Sequence, residues 1–516
     1  MRIGKKYKRL CGLLIGFLFV TAMLSALAGI TIFDRQHNHI LHDYVATQDD
    51  IVIFSATFYE TSKSFPNNSI VILFNAVQVF HFKHIELLGV SYNASGAFNT
   101  SLKVQPVIAS LPFYCKWTPF LAVGEVAEHL TSFELTTGLS GLELETRLPY
   151  SDYRPVVACF SPLFLNERWQ LLILTAEVYS HYGAFMHFYI RSMLTDLYSI
   201  LKKYRKTRIQ PWPAIKMGIH RASPLSFDPN YELEFRNQAG AMTDCLLQYK
   251  ESADYIIFPD TDDIIIPRLG DTYYMEFEKV FALYPQAAAV AYNMSQASIA
   301  SSTSPSTYSP VSVLKSLRFK GETRWGKLVV KPDRADSVWI HESFGIRPGH
   351  YQVPLPVHLN SALHFRFWDF PRNQPIEIED TNQLLNKSQS EIPLYDPLLS
   401  FSENQTEPLY RDIDLESIEK SFRKMTRRRA TGSIFARLPE VSLYYPLIEQ
   451  CYNRIFYTGE QHGTCKGPEL CDLPKFPGLR CTNVKSEFQS FAYYSKIFIH
   501  KLVKAEFENT DSGCSL

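Results

Sequence analysis

Residues 255–267 read YIIFPDTDDIIIP, and few arrangements accommodate that string. Tyr255 to Pro259 is mostly apolar and rich in aromatic and β-branched types, which predicts a buried strand. Asp260, Thr261, Asp262 and Asp263 follow, and then a second apolar run, Ile264 to Ile266. Three carboxylates between two buried runs repel one another, and leaving them unpaired in apolar surroundings is costly. A divalent cation is the simplest compensation, and hard oxygen ligands at a strand's end suit Mn²⁺ or Mg²⁺. The alternative is an acidic turn between two strands. A bare DxD is common, whereas DxDD held between two apolar runs points more specifically to a cation.

The chain around this stretch alternates strands with helices. Pro155–Phe160 predicts a short strand, Glu167–Tyr182 a helix ended by Gly183, and Phe185–Ile190 the next strand. Leu194–Tyr204 predicts a helix, Arg208–Ile215 a strand weakened by Pro211 and Pro213, and Tyr231–Lys250 a long helix. The implied fold is α/β, a doubly wound and mostly parallel sheet. Ligands of such sheets bind at the carboxyl ends of strands, which is where Asp260–Asp263 fall.

The preceding residues suggest a location. Arg2, Lys5, Lys6, Lys8 and Arg9 stand before an uncharged run from Leu10 to Phe33. As a helix that run spans roughly 35 Å, enough for a bilayer. A cleaved leader has a shorter apolar core, so the reading is a signal anchor at 10–33 with a cytoplasmic tail at 1–9. Six Asn-x-Ser/Thr triplets (Asn67, Asn93, Asn99, Asn293, Asn386, Asn404) lie on the side this makes lumenal. So do eight of the nine cysteines, and Cys451, Cys465, Cys471 and Cys481 are expected in disulfides of undetermined pairing. Residues 34–150 read as a stem and small β-rich domain, with strand-like runs at Ile51–Tyr59 and Ile70–Phe80. Residues 151–373 then form the catalytic domain, and 374–516 a linker with a C-terminal cysteine-containing region. Lys plus Arg and Asp plus Glu are each 52, and this balance disfavours nucleic acid as a partner.

CFSPLFLNERWQ (159–170), HYGAFMHFYIRSM (181–193), NQAGAMTDCLLQYKESADYIIFPDTDDIIIP (237–267) and EF at 276–277 together resemble glycosyltransferase family 92. The resemblance runs from about Val156 to Asp369. It implies a GT-A-like fold, a Golgi-type, single-pass type II membrane topology, and a metal-dependent inverting transferase. It also implies UDP-galactose as donor and a glycan hydroxyl as acceptor, such as fucose on N-glycans. The family's usual DxDE ending stands here as Asp260-Thr261-Asp262-Asp263, a shorter acid in the last place.

By that resemblance Asp260 and Asp262 are metal ligands, with Asp260 also a candidate for the nucleotide. Asp263 is a candidate for metal geometry or catalysis. A late histidine is expected to join the metal: His364 in LHFR is preferred and His341 in WIHE is the other candidate. Either histidine has a satisfied core role as its alternative. Ser161, Arg191 and Asp244 are candidates for the nucleotide sugar, and Lys327 or Lys331 for its diphosphate. Inversion needs a base on the acceptor hydroxyl. Glu342 is chosen over Glu322 and Asp369, with a surface acid as the alternative. Trp325 and Trp368 are candidates for stacking on sugar faces or for the core. The basic run Arg423–Arg429 reads as a solvated helix face or an anion-attracting patch. A second function fits the same residues: a non-catalytic, membrane-anchored glycan-binding or assembly protein that kept the fold. A metal phosphodiesterase would need more histidine near Asp260.

Overall fold

The computed structural model describes residues 50–77, 87–108, 115, 117–136, 141–216, 229–369, 413–457, 465–493 and 497–516. The expected anchor at 10–33 and residues 374–412 of the expected linker lie outside the described residues. Among the described residues, no helix is long and apolar enough to cross a membrane.

Strands β1 (Asp50–Tyr59), β2 (Ser69–Val77), β3 (Leu87–Asn93), β4 (Gly96–Pro106), β5 (Trp117–Glu125), β6 (Ser132–Thr136), β7 (Gly141–Leu144) and β8 (Thr146–Arg147) come first. Next are β9 (Arg154–Leu163), α1 (Trp169–His181), β10 (Phe185–Ile190), β11 (Ser192–Leu194), α2 (Thr195–Leu201) and β12 (Thr207–Pro211). The site region holds α3 (Gln238–Tyr249), β13 (Ala253–Ile257), β14 (Asp263–Ile265) and α4 (Tyr273–Leu283). After it run β15 (Ala287–Ala300), α5 (Pro310–Lys315), β16 (Arg318–Val330), β17 (Tyr351–Leu355) and β18 (Ala362–Asp369). The C-terminal part has α6 (Leu415–Thr426), α7 (Arg429–Phe435), α8 (Tyr444–Tyr452), β19 (Cys481–Tyr493) and β20 (Ile497–Thr510).

Two sheets result. The second has the order β12-β10-β9-β13-β16-β15-β18-β14, with β17 beside β15. Its β12, β10, β9 and β13 are mutually parallel, as strand–helix alternation predicts. Beyond them β16 runs antiparallel to both β13 and β15, and β14 antiparallel to β18, so the sheet is mixed. Pro211 is tolerated because β12 is an edge strand.

The pleat sends alternate residues of β9 to opposite faces. Val156, Ala158 and Phe160 pack in one core with Trp169, Leu172 and Tyr179 of α1 and Phe277 of α4. Val157 and Cys159 pack in another with Met242, Cys245 and Leu246 of α3. All residues of α3 are buried, because its far side lies against the first sheet through Ala239, Leu247, Tyr59, Leu73 and Leu121. A disulfide from Cys159 to Cys245 ties α3 to β9.

The sequence predicts one long helix over 231–250, but α3 begins only at Gln238. Phe235, Arg236 and Asn237 take φ of 42°, 59° and 63°, a left-handed run that no right-handed helix passes through. Asn237 is held there by exchanging side-chain hydrogen bonds with Asn75 of β2 (3.0 and 2.7 Å).

The first sheet is ordered β11-β19-β20-β1-β2-β5-β4-β3-β6-β7, with β8 also on β1. It therefore takes strands from the C-terminal region as well as from residues 50–147. Cys451, Cys465, Cys471 and Cys481 are all disulfide-bonded, in the pairs Cys451–Cys471, Cys115–Cys465 and Cys481–Cys514.

Candidate functional site

The acidic loop leaves the carboxyl end of β13 and turns at once. Asp263 N–H donates to Asp260 O at 3.1 Å, closing the turn. Asp263 then begins β14, where it stands opposite His364 of β18. From α1, Thr175 Oγ1 donates to Thr261 O (2.6 Å) and the Tyr179 hydroxyl donates to Asp263 O (3.1 Å). The loop is thus gripped by a strand on one side and a helix on the other. Asp260 and Asp262 are half-buried and Asp263 is fully buried.

Asp263 is neutralised from two directions. Its Oδ1 lies 2.8 Å from His364 Nδ1, and its Oδ2 lies 3.2 Å from Lys327 Nζ. Burial pushes its carboxyl up, but Lys327 and His364 outweigh burial and hold it at about 2. Burial lowers His364, and the hydrogen bond to Asp263 with the charge of Asp262 reverses this, raising it to about 9. Asp262 is pushed up to about 6, first by burial and then by its acidic neighbours, against the pull of His364. Lys327 is almost wholly buried and also meets Asp260 Oδ2 at 2.5 Å. Burial works against its charge, but Asp260 and Asp263 hold it above the ordinary lysine range. Gln238 donates to Asp260 Oδ1 (2.9 Å) and to Ser161 Oγ (2.5 Å), and Ser161 Oγ itself donates to Asp260.

One ligand atom each from Asp262, Asp263 and His364 lie within 4.8 Å of one another. Two carboxylates and an imidazole are a donor set suited to a divalent cation of the Mn²⁺ type. A cation there would replace the proton that the carboxylates hold on His364. The sequence points to Asp260, Asp262 and His364 as the metal set. The structure brings Asp263 into the cluster instead, because Asp260 is turned toward Lys327, Gln238 and Ser161.

The remaining candidates are dispersed. Arg191 does not reach the acidic loop: it is buried, with Nη1 on Glu469 (3.2 Å) and Nη2 on Pro213 O (3.1 Å). Asp244 is also elsewhere, fully buried between α3 and the first sheet. It accepts from Arg147 (2.5 Å), Ser55 (2.7 Å), Tyr189 (2.8 Å) and Gln248 (2.8 Å). Arg147 lines a cleft of about 220 Å³, next to where β20 leaves β1 and β8 takes its place. Helical spacing separates Gln238 from Asp244 by six positions, which points them to different neighbours.

His341 lies near the cluster but outside it, its Nδ1 3.0 Å from Gly326 O; burial and then Lys327 push its pKa down. Glu342 is half-buried, its carbonyl accepting from Trp339 N–H, and no contact joins its carboxylate to the acidic loop. Lys331 lies over the Tyr255 ring at 5.2 Å, on another part of the sheet. The side chains of Glu322, Trp325, Trp368 and Asp369 lie outside the described residues. The basic run is broken between α6 and α7; Arg423 pairs with Glu419 (2.7 Å), and Lys424, Arg427, Arg428 and Arg429 are exposed.

The structure adds Thr175 and Tyr179 to the site, whose hydroxyls hold the acidic loop. Their spacing of four puts them on one face of α1, a signal present in the sequence. Arg168 stands at the N-cap of that helix. Arg168 is half-buried, its guanidinium 3.7 Å from the Tyr445 ring centre.

With this geometry in hand, comparison with known proteins is decisive. The glycosyltransferase family 92 model matches residues 154–426. A glycosyltransferase family 92 protein of Caenorhabditis elegans is 53% identical over 518 residues, covering 99% of this chain and 98% of its own. The chain belongs to glycosyltransferase family 92. A second Caenorhabditis elegans protein of the family is 31% identical over 98% of this chain and 97% of its own. Among solved structures, a provisionally named nucleotide-diphospho-sugar transferase from Desulfovibrio desulfuricans covers 46% of this chain and 96% of its own at 9% identity. Its TM-score of 0.19 is too low to carry an argument. The acidic loop, Lys327 and His364 all fall inside the matched glycosyltransferase family 92 region. Glu469, the partner of Arg191, and Tyr445, the partner of Arg168, fall beyond it.

Proposed function

We propose that this member of glycosyltransferase family 92 is a metal-dependent, inverting transferase of the GT-A type. It moves galactose from UDP-galactose to a glycan hydroxyl, such as fucose on N-glycans. It works on the lumenal side of a Golgi-type membrane, held by the anchor at 10–33. The observation that carries the reading is the convergence of Asp262, Asp263 and His364 at the mouth of β13 in a chain of this family. The parallel run β12, β10, β9 and β13, with the loop at its carboxyl end, supports the same reading.

Asp262, Asp263 and His364 would hold Mn²⁺ (or Mg²⁺), which when bound supplies positive charge to the departing diphosphate. Lys327 fixes Asp263 and Asp260 in place. Asp260, steadied by Ser161 and Gln238, offers acceptor oxygens for the hydroxyls of the nucleotide's ribose. Asp263, held near 2 by Lys327 and His364, is a poor proton acceptor at neutral pH. Glu342 is the residue proposed to take the acceptor's proton, as the sequence suggests. The test is to incubate the full-length protein with a panel of UDP-sugars, a fucosylated acceptor and Mn²⁺, and to measure UDP release. UDP-galactose should be consumed, and Asp262→Asn should abolish consumption. Turnover that survives Asp262→Asn, or that ignores chelation, would refute the proposal.

A further inference from the structure

We propose that Glu276, which lies outside the acidic cluster, is the positioning residue that fixes the register of Asp263 against His364 and so sets the cluster's affinity for its cation. This rests on the metal reading above and adds to it a residue behind the ligands. β14 is three residues long and stands at the edge of its sheet, beside β18. Its pairs are Asp263 with His364, Ile264 with Leu363 and Ile265 with Ala362. A slip by one residue would carry Asp263 about 3.4 Å along β18 and set it opposite Leu363 or Phe365. Metal ligands must be held to within roughly 0.5 Å, so a ladder this short has to be pinned at its ends.

One pin is at the site itself, where Phe365 N–H donates to Asp262 O (2.8 Å). The other is Glu276, in the first turn of α4 and fully buried. Its Oε2 accepts from the backbone N–H groups of Arg268 (2.9 Å) and Leu269 (2.6 Å), just after β14. Its Oε1 accepts from Nδ2 of Asn360 (2.7 Å), just before β18, and the same nitrogen donates to Ile266 O (2.9 Å). The Tyr292 hydroxyl of β15 reaches Oε1 at 3.4 Å.

One carboxylate therefore ties the outgoing end of β14 to the incoming end of β18. Tyr273, three residues earlier on the same face of α4, adds a further hold, its hydroxyl donating to Ile265 O (2.7 Å). The carboxylate meets three N–H donors, and only an acceptor with two oxygens satisfies them. An amide at 276 keeps the shape but turns an N–H of its own against part of this set.

The test is calorimetric titration of Mn²⁺ into the full-length protein, with denaturant unfolding of the same samples. Glu276→Gln should weaken Mn²⁺ binding roughly 10- to 100-fold. Asn360→Ala leaves the carboxylate on Arg268 and Leu269 but frees β18. It should weaken Mn²⁺ in the same direction, and it carries the test should Glu276→Gln fail to fold. Val280→Ala opens a cavity beside the same helix, and its side chain makes none of these bonds. It should lower stability and leave Mn²⁺ affinity unchanged. A folded variant at 276 or 360 that binds Mn²⁺ as tightly as wild type overturns the inference alone. Equal weakening in Val280→Ala means that lost stability, not register, loosens the site, which also overturns the inference. Wild type that binds no Mn²⁺ overturns the metal reading and this inference with it.

Discussion

Removing Arg147 tests the energetics of the join between the two sheets. Asp244 is 1% exposed, while the Arg147 side chain keeps 28% of its surface in water. Arg147→Met therefore leaves a carboxylate in the interior without its counter-charge. Removing one partner of a buried pair costs roughly 3 to 5 kcal/mol. Ser55, Tyr189, Gln248 and Gln210 still donate to Asp244, so the expected loss is at the lower end, about 3 kcal/mol. Asp244→Asn should cost less, about 2 kcal/mol, because Arg147 reaches water and keeps its bond to Thr57. The double variant should recover about 2 kcal/mol relative to the sum of the single losses. Denaturant unfolding at neutral pH measures all three.

The pH dependence of the same variants supplies a sign. Burial raises the Asp244 carboxyl, but Arg147 and then the hydrogen bonds outweigh it, so the folded pKa lies below the ordinary value. Its stabilisation is present above about pH 4 and is lost as pH falls through the folded pKa. In Arg147→Met the charged carboxylate becomes a cost that protonation relieves. The gap between wild type and Arg147→Met should therefore narrow on acidification. A loss under about 1 kcal/mol at neutral pH, or a gap that ignores pH, would refute the reasoning.

Three further outcomes are expected. The Glu167 carboxylate caps α8 from a distance, accepting from the backbone N–H groups of Leu443 (2.8 Å), Tyr444 (2.7 Å) and Tyr445 (2.7 Å). Glu167→Ala should release α8, costing about 2 to 4 kcal/mol and exposing residues near 443–452 to proteolysis, read by mass spectrometry of early fragments. The Asp263–His364 pair should give stability two shoulders in a pH series of unfolding midpoints. His364, raised to about 9, contributes fully below its ordinary 6.5 and loses its share as pH rises through 9, while Asp263 loses its share as pH falls toward 2. The paired change of Cys115 and Cys465 to serine opens a link between positions 350 apart and should cost about 5 kcal/mol, read by denaturant unfolding.

Local pattern carried much of the fold. Phe185–Ile190 is the strand that its apolar run predicts, and α1 stops at Gly183, whose φ of 92° a helix does not hold. The acidic loop was legible because charge between two apolar runs has few explanations. What spacing did not reveal depends on pairing across the chain. His364 stands 101 positions from Asp263, and the two meet because β14 and β18 pair in one register. Glu469 draws Arg191 away from the loop across 278 positions, a partner that no local pattern discloses. The kink at Phe235–Asn237 contains no glycine or proline to announce it. Within it Phe235 N–H bonds Lys466 O and Asn237 pairs its amide with that of Asn75, partners far away in the chain.

The sheet partners of β1 impose an order on biosynthesis. The edge of β1 at Asp50–Ile53 is covered by β20, and His500 bonds Asp50 from 450 positions away (2.8 Å). A nascent chain therefore carries this edge unpaired until nearly the whole polypeptide has been translated. Residues 154–426 produced by themselves would lack both the cover for β11 and the grip on α3 supplied by the first sheet. Shortening the carboxyl terminus should accordingly leave β1 uncovered and lower the yield of folded protein rather than give a smaller stable unit.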